Sequence, residues 1–329
     1  MTDGHSDTVG IVVFGRNEGE RLHRCLLSAL ASAERVVYVD SGSSDGSCEL
    51  AASLGVTVEA LDLSRPFTAA RARNAGFMRL QSNCPEIVYV QFVDGDCELD
   101  PAWIETARSF LDAHPDYAAV HGRRRERFPE ASPYNRLCDM EWDVGPGDIR
   151  AFGGDVMLRS GALAALGGYR DDMIAGEDPE LSFRLRAEGW KLMALDAEMT
   201  RHDAAMLHFG QWWRRVVRSG YAYALGAWLH VRSPERHWVH ESLRAWIWAA
   251  GPIAGACLLA WPLGGWALTL LLVYPAQWLR LAIHGEGSTG DRVLRATAQL
   301  LGRFAEWQGQ LEFLSDLLRR RRRRIIEYK

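Results

Sequence analysis

The segment IVYVQFVD, residues 87–94, is apolar at nearly every position. A strand of that composition has no polar face to leave in water, so it is expected to lie inside a sheet covered on both sides. The surrounding pattern agrees. A short apolar run at residues 9–14 is followed by Leu22, Cys25, Leu26, Ala29 and Leu30 at helical spacing. VVYVD at 36–40 reads as a second strand, CELAASLG as a short helix, VTVEAL as a third strand and RARNAGFMRL as a further helix. Strands alternating with helices through about residue 100 predict a parallel, doubly wound α/β sheet. Ligands of such sheets bind beyond the carboxyl ends of the strands, where Asp40 and Asp94 fall.

Composition narrows the function classes. The 329 residues carry a formal net charge of -4, which argues against a nucleic-acid-binding protein. The six cysteines show neither CxxC nor Cys/His ligand spacing, so neither a zinc site nor a disulfide framework is expected. The opening MTDGHSDTVG is polar and lacks a signal-type apolar core, which predicts a cytosolic N-terminal part.

Between Arg244 and Arg280 there is no charged residue. A straight helix of that length would reach about 50 Å, against about 30 Å for a bilayer core. Pro262, Gly264 and Gly265 offer a break, so the run is expected to form a helical hairpin, spanning or re-entrant, with arginines placing both ends on the cytoplasmic side. Trp246, Trp248, Trp261, Trp266 and Trp278 suit an interfacial belt, though a buried soluble pair would also carry them. From Asp291 to Leu318, Leu294, Leu301, Trp307, Leu311, Leu314 and Leu318 form an apolar stripe that can lie in a membrane interface or pack on another domain. The terminal RRRRRRIIEYK is read either as a solvated end or as a further contact with anionic lipid. The expected division is residues 1–225 as catalytic domain, 226–290 as apolar hairpin and 291–329 as amphipathic helix with an Arg-rich tail.

Three short patterns carry chemistry. Asp94-Gly95-Asp96 holds two carboxylates that would raise each other's pKa unless paired; a divalent cation, Mg²⁺ or Mn²⁺, relieves that conflict, and a plain turn after the strand is the alternative. In GEDPEL, Asp178 before Pro179 is either the N-cap of a helix or a rigidly aimed proton acceptor. In VDSGSSDGS, Asp40 can accept hydrogen bonds from a base or ribose. Neither GxGxxG nor GxxxxGK[ST] occurs, which argues against dinucleotide and P-loop sites.

In order, FGRNEGERLHRCLLSAL, VVYVDSGSSDGS, ARARNAGF, VQFVDGDCEL and GGYRDDMIAGEDPELSFRLRAEGW resemble glycosyltransferase family 2 over residues 8–225. The resemblance implies a GT-A fold, a Rossmann-like mixed sheet flanked by helices, with a membrane-associated C-terminal helical region. It implies inverting transfer of one sugar from a nucleotide-diphospho-sugar, a UDP- or GDP-sugar. Asn17, Glu18 and Asp40 would line the nucleotide pocket, with Arg71 and Asn74 near the diphosphate. Asp94 and Asp96 match the DxD motif, Asp96 being the more direct metal ligand. Asp178 would be the general base, with Glu177 orienting it or the acceptor. His202 stands where related enzymes often place a histidine near the metal or the diphosphate, though a lone histidine is commonly structural. Gln211, Trp212, Trp213 and Arg214 resemble the family's QxxRW acceptor and diphosphate motif, but Arg215 replaces its Trp, which argues against processive synthesis. An amphipathic helix at a membrane face is the other reading of that stretch. The expected setting is the cytoplasmic face of the inner membrane, with a lipid-linked acceptor in surface-polysaccharide or envelope assembly. Transfer to polyprenyl phosphate or a soluble acceptor, and nucleotidyl transfer, are the alternatives.

Overall fold

Strand β1 (Val9–Gly15) lies inside the sheet, with β2 (Arg35–Asp40) on one side and β4 (Tyr89–Asp94) on the other, all parallel. The computed structural model describes residues 8–319; the Arg-rich tail lies outside the described residues from 320 onward. The remaining strands are β3 (Thr57–Ala60), β5 (Cys97–Leu99), β6 (Tyr117–Glu126), β7 (Gly147–Asp148), β8 (Val156–Arg159) and β9 (Lys191–His202). Among the described residues they form one nine-stranded sheet in the order β3-β2-β1-β4-β8-β6-β9-β5, with β7 on β9. Strand β8 runs antiparallel between β4 and β6, so the sheet is mixed beyond β4.

The two-sided burial expected of IVYVQFVD is met from Tyr89 onward by two separate cores, Val88 being exposed. Ile11, Val13, Tyr89 and Val93 point into one, with Leu22 and Leu26 from α1 (Glu20–Ser32). Val12, Val90 and Phe92 point into the other, with Phe77 and Leu80 from α3 (Ala69–Asn83). The polar residue within the run, Gln91, is fully buried and accepts from Trp103 Nε1 at 2.8 Å. Helices α2 (Ser47–Ser53), α4 (Trp103–Ala113), α6 (Ser160–Ala165) and α7 (Glu177–Ala187) complete this unit, which comprises residues 8–131 and 138–205.

Residues 132–137, in α5 (Pro133–Trp142), belong with 206–319 in a second unit. The border near 225 expected from sequence falls inside α8 (Phe209–His230), a continuous helix whose Val217, Gly220, Tyr221 and Ala224 are buried in the second unit. Then follow α9 (Val239–Ala249), α10 (Gly251–Leu263), a 3₁₀ stretch (Gly264–Leu272), α11 (Val273–His284) and α12 (Thr289–Leu318).

The buried face of α12 is not the leucine stripe. Ala296, Gly302, Ala305, Glu306, Gly309, Gln310 and Phe313 are buried, whereas Leu301, Leu311, Leu314 and Leu318 remain exposed. Small residues let α8 and α12 approach backbone to backbone. A Cβ on Gly309 would lie 2.0 Å from the Val217 carbonyl oxygen, and one on Gly220 would lie 2.1 Å from that of Glu306. Gly309→Ala is therefore expected to cost about 1–3 kcal/mol by forcing the helices apart. Gly302→Ala, whose Cβ would meet Val216 at an ordinary 3.7 Å, should be tolerated. Denaturant unfolding of the two variants, followed by helical circular dichroism, tests the contrast.

Candidate active site

The parallel strands end in the loops that build the site. At β2, Asp40 Oδ2 accepts from the Gly42 and Ser43 amides at 2.8 and 2.9 Å, and Tyr38 donates its hydroxyl to Oδ1. Burial raises the Asp40 pKa, but the hydrogen bonds from Ser43, Gly42 and Tyr38 outweigh it and hold the carboxyl below its ordinary value. Asn17, at φ 56, clasps this turn, accepting from the Ser44 amide and donating its own amide to Ser43 Oγ. Asp45 accepts from the Gly19 amide and from Ser47, so it orders the same loops. Glu18 sits against the end of β4: its Cγ is 3.4 Å from a Cβ built on Gly95.

At the end of β4 the two aspartates of the triplet diverge. Asp94 faces two arginines, Arg124 Nη2 at 3.0 Å and Arg73 Nη2 at 3.7 Å. Burial would raise its pKa, yet Arg124 and Arg73 hold the carboxyl down at about 2. Its amide donates to Asp155, which also takes the Thr200 hydroxyl. Gly154 closes this corner, since a Cβ there would come 2.9 Å from Asp94 Oδ2.

Asp96 points the other way, toward His202 Nε2 at 3.2 Å. The opposite ring nitrogen, Nδ1, lies 3.5 Å from Glu126 Oε2. Pairing of β9 with both β5 and β6 brings this about, because His202 is opposite Cys97 on one side and Glu126 on the other. Burial, then Arg124, lower the His202 pKa and keep the imidazole neutral. A neutral imidazole backed by a carboxylate and facing a second carboxylate is a donor pair suited to a divalent metal, with Glu126 orienting the ring. Trp142 covers the pair, its ring perpendicular to His202 at 4.6 Å and beneath Arg124 at 4.8 Å.

The third corner is the start of α7. Asp178 is not its cap. Gly176, at φ 78, starts the helix two residues earlier, placing Glu177 and Asp178 inside the first turn. Arg73 joins them to β4: Nη1 donates to Glu177 Oε1 at 2.8 Å, and Nη2 lies 3.5 Å from Asp178 Oδ2. Arg73 is buried between the Phe14 and Tyr169 rings, at 4.3 and 5.3 Å. Asp178 Oδ1 is buried with no hydrogen-bond partner among the described residues. Burial drives its pKa up to about 7, with Arg73 opposing and Glu177 and Asp94 adding to the rise.

Of the residues expected near the diphosphate, Arg71 donates to the carbonyls of Asp62, Arg65 and Pro66, so it shapes the loop before α3. Asn74 ties α3 to Tyr169 and Asp171. Arg73, two positions from Arg71, carries the charge into the cluster. Gln211, Trp212, Trp213 and Arg214 lie on α8 in the second unit. Gln211 caps that helix through the Leu207 and His208 amides, Trp212 stacks near Tyr134, Trp213 donates to Gln308, and Arg214 is exposed. Sequence reading missed Arg73, Arg124, Glu126, Trp142 and Asp155. The RRRER run on β6 and the Arg-Asn pair on α3 were the visible signals for three of them.

A mixed sheet of this order, with helices on both faces, is that of the GT-A fold. Residues 8–161 match the family model described as glycosyl transferase family 2, and with the curated relative this makes the chain a glycosyltransferase. It is 26% identical to a pre-mycofactocin glycosyltransferase of Mycobacterium tuberculosis, the match covering 98% of this chain and 69% of that one. Among solved structures it resembles the mannosyltransferase PcManGT of Pyrobaculum calidifontis, solved with GDP-Man and Mn²⁺ (TM-score 0.58, 16% identity, 94% of this chain and 87% of that one). It also resembles S. aureus TarS 1–349, solved with UDP-GlcNAc (TM-score 0.53, 14% identity, 95% and 92%).

Proposed function

We propose that the protein is an inverting, metal-dependent glycosyltransferase that moves one sugar from a nucleotide-diphospho-sugar to a hydroxyl of a lipid-linked acceptor, at the cytoplasmic face of the inner membrane, in surface-polysaccharide or envelope glycan assembly. The observation that carries the reading is Asp178: a buried carboxylate with one oxygen unpartnered and a pKa raised to about 7. Such a group takes a proton from an acceptor hydroxyl near neutral pH. Attack by that hydroxyl on the anomeric carbon forms the new glycosidic bond and breaks the bond to the diphosphate, with inversion. Glu177 and Arg73 hold the base in place. Asp40 and the Asn17 loop bind the nucleotide end. Asp96 and His202 would hold the divalent ion, which when bound supplies positive charge to the departing diphosphate. The neighbours solved with GDP-Man and Mn²⁺ and with UDP-GlcNAc support a UDP- or GDP-sugar donor.

The test is transfer of radiolabelled sugar from a panel of nucleotide sugars with Mn²⁺ into butanol-extractable lipid. Release of nucleoside diphosphate is expected, with activity abolished by a chelator and restored by Mn²⁺. Release of inorganic diphosphate would mean nucleotidyl transfer instead. Label found only in water-soluble product would remove the lipid-linked acceptor.

A further inference from the structure

The most exposed apolar surface of the second unit is the tip of the run without charge. Trp261 is 96% exposed, Trp266 and Leu258 78%, and Leu268 and Leu272 are exposed as well. Residues Gly251–His284 are long and apolar enough to cross a membrane. They are not one straight helix. At Gly264, φ 54 and ψ -138, the chain leaves α10 and returns. The two legs lie side by side. A Cβ on Gly255 would meet Leu270 Cδ1 at 3.4 Å, and Tyr274 donates to the Ala249 carbonyl at 3.3 Å.

That pairing sets the reach. From the Ala249–Tyr274 level the descending leg is α10, 13 residues long. It rises about 20 Å, and the hydrocarbon core it would have to cross is about 30 Å thick. The hairpin is too short to span and long enough to fill one leaflet. Its base is basic. Arg244 lies five residues before Ala249 and Arg280 six after Tyr274, each about 8–9 Å along its helix. Trp278 Nε1 donates to Thr297 Oγ1, which sets the start of α12, with Arg292 and Arg295, beside α11. Trp246 and Trp278 lie at the same base, their indoles donating to Gln310 and Thr297 of α12.

We infer that this hairpin is a monotopic anchor: its tip, Leu258 to Leu272, enters one leaflet of an anionic phospholipid bilayer, and an arginine collar at its base binds the headgroups. The inference rests on the proposed transfer reaction only for what the leaflet presents; the surface argument needs no donor.

The test uses the full-length chain and vesicles of phosphatidylcholine with or without phosphatidylglycerol. Co-flotation is expected with the anionic vesicles. Arg280→Gln with Arg295→Gln should weaken it about twenty-five-fold, at about fivefold per arginine near the surface. Trp261→Glu with Leu268→Glu should weaken it at least about tenfold. Because both side chains are exposed, the fold and nucleotide-sugar binding by calorimetry should be unchanged. Cys257, an exposed thiol on α10, takes an environment-sensitive fluorophore without any substitution. Its emission should be quenched by nitroxide lipids, and a second fluorophore at Leu263→Cys should resist an impermeant reductant sealed inside the vesicles.

Reduction from the lumen would mean a spanning hairpin and overturn the proposal. So would absence of flotation, or light scattering showing a dimer that the glutamate substitutions dissociate. Loss of donor binding with flotation intact would instead strike the proposed reaction and leave the anchor standing.

Discussion

Asp178→Asn is expected to lower kcat for sugar transfer by a factor of about 10²–10⁴, the usual contribution of a general base, while leaving nucleotide-sugar affinity near that of the unchanged protein. The amide is the same size, keeps the helix turn, and cannot take a proton. In the unchanged enzyme the same residue sets the pH profile. Only the ionised carboxylate accepts a proton, and its pKa is raised to about 7. Activity should therefore rise with pH through about 7 and level off above it. The asparagine variant should lose that limb. Initial rates from about pH 5.5 to 8.5, with donor affinity measured alongside by calorimetry, check both. A variant that transfers sugar at the original rate would take the role of base from Asp178. It would also favour an acceptor such as a phosphate, which needs no deprotonation.

What could be read in the sequence was what local spacing encodes. Strands β1, β2 and β4 announce themselves because each is apolar, short and followed by turn residues. Asp40, Asp94 and Asp96 stand out because they sit where those strands stop. What could not be read depends on pairing across the sheet. Glu126 and His202 are far apart in the chain and meet because β6 and β9 are neighbours, a pairing that no short motif records. Asp155 reaches Asp94 through the antiparallel placement of β8, which the alternating pattern of the first hundred residues does not foretell. The start of α7 is hidden for a local reason: Asp-Pro resembles a cap, but the left-handed Gly176 begins the helix before it. On α12 the leucines drew attention, whereas close helix contact needs the glycines between them.

Arg73→Met is expected to destabilise the first unit by about 3–5 kcal/mol, the cost of leaving buried charges uncompensated. That corresponds to a fall of about 10 °C in Tm for a unit of this size. The arginine is almost wholly buried and is the common partner of Asp94, Glu177 and Asp178, so methionine fills its space but takes the charge from Glu177 and Asp178, while Asp94 keeps Arg124. The sign of the pH dependence follows from the two shifted aspartates. Asp94, held at about 2, lies below the unfolded carboxyl value of about 4, so its pairing stabilises above that value and is lost as pH falls toward 2. Asp178, raised to about 7, behaves oppositely: its ionisation on the way from about pH 4 to 7 costs stability. Removing Arg73 takes away the charge that opposes that rise, so the Asp178 pKa should climb further and the loss of stability should be larger at pH 7.5 than at pH 5.5. The activity limb of the variant should move to higher pH with it. Arg73→Lys keeps the charge without the two-pronged donor, and should restore much of the stability but less of the rate. Melting curves at the two pH values, with the rate profile of the lysine variant, separate a positioning role from a packing role: a packing residue would show the same deficit at both pH values and no shift of the limb.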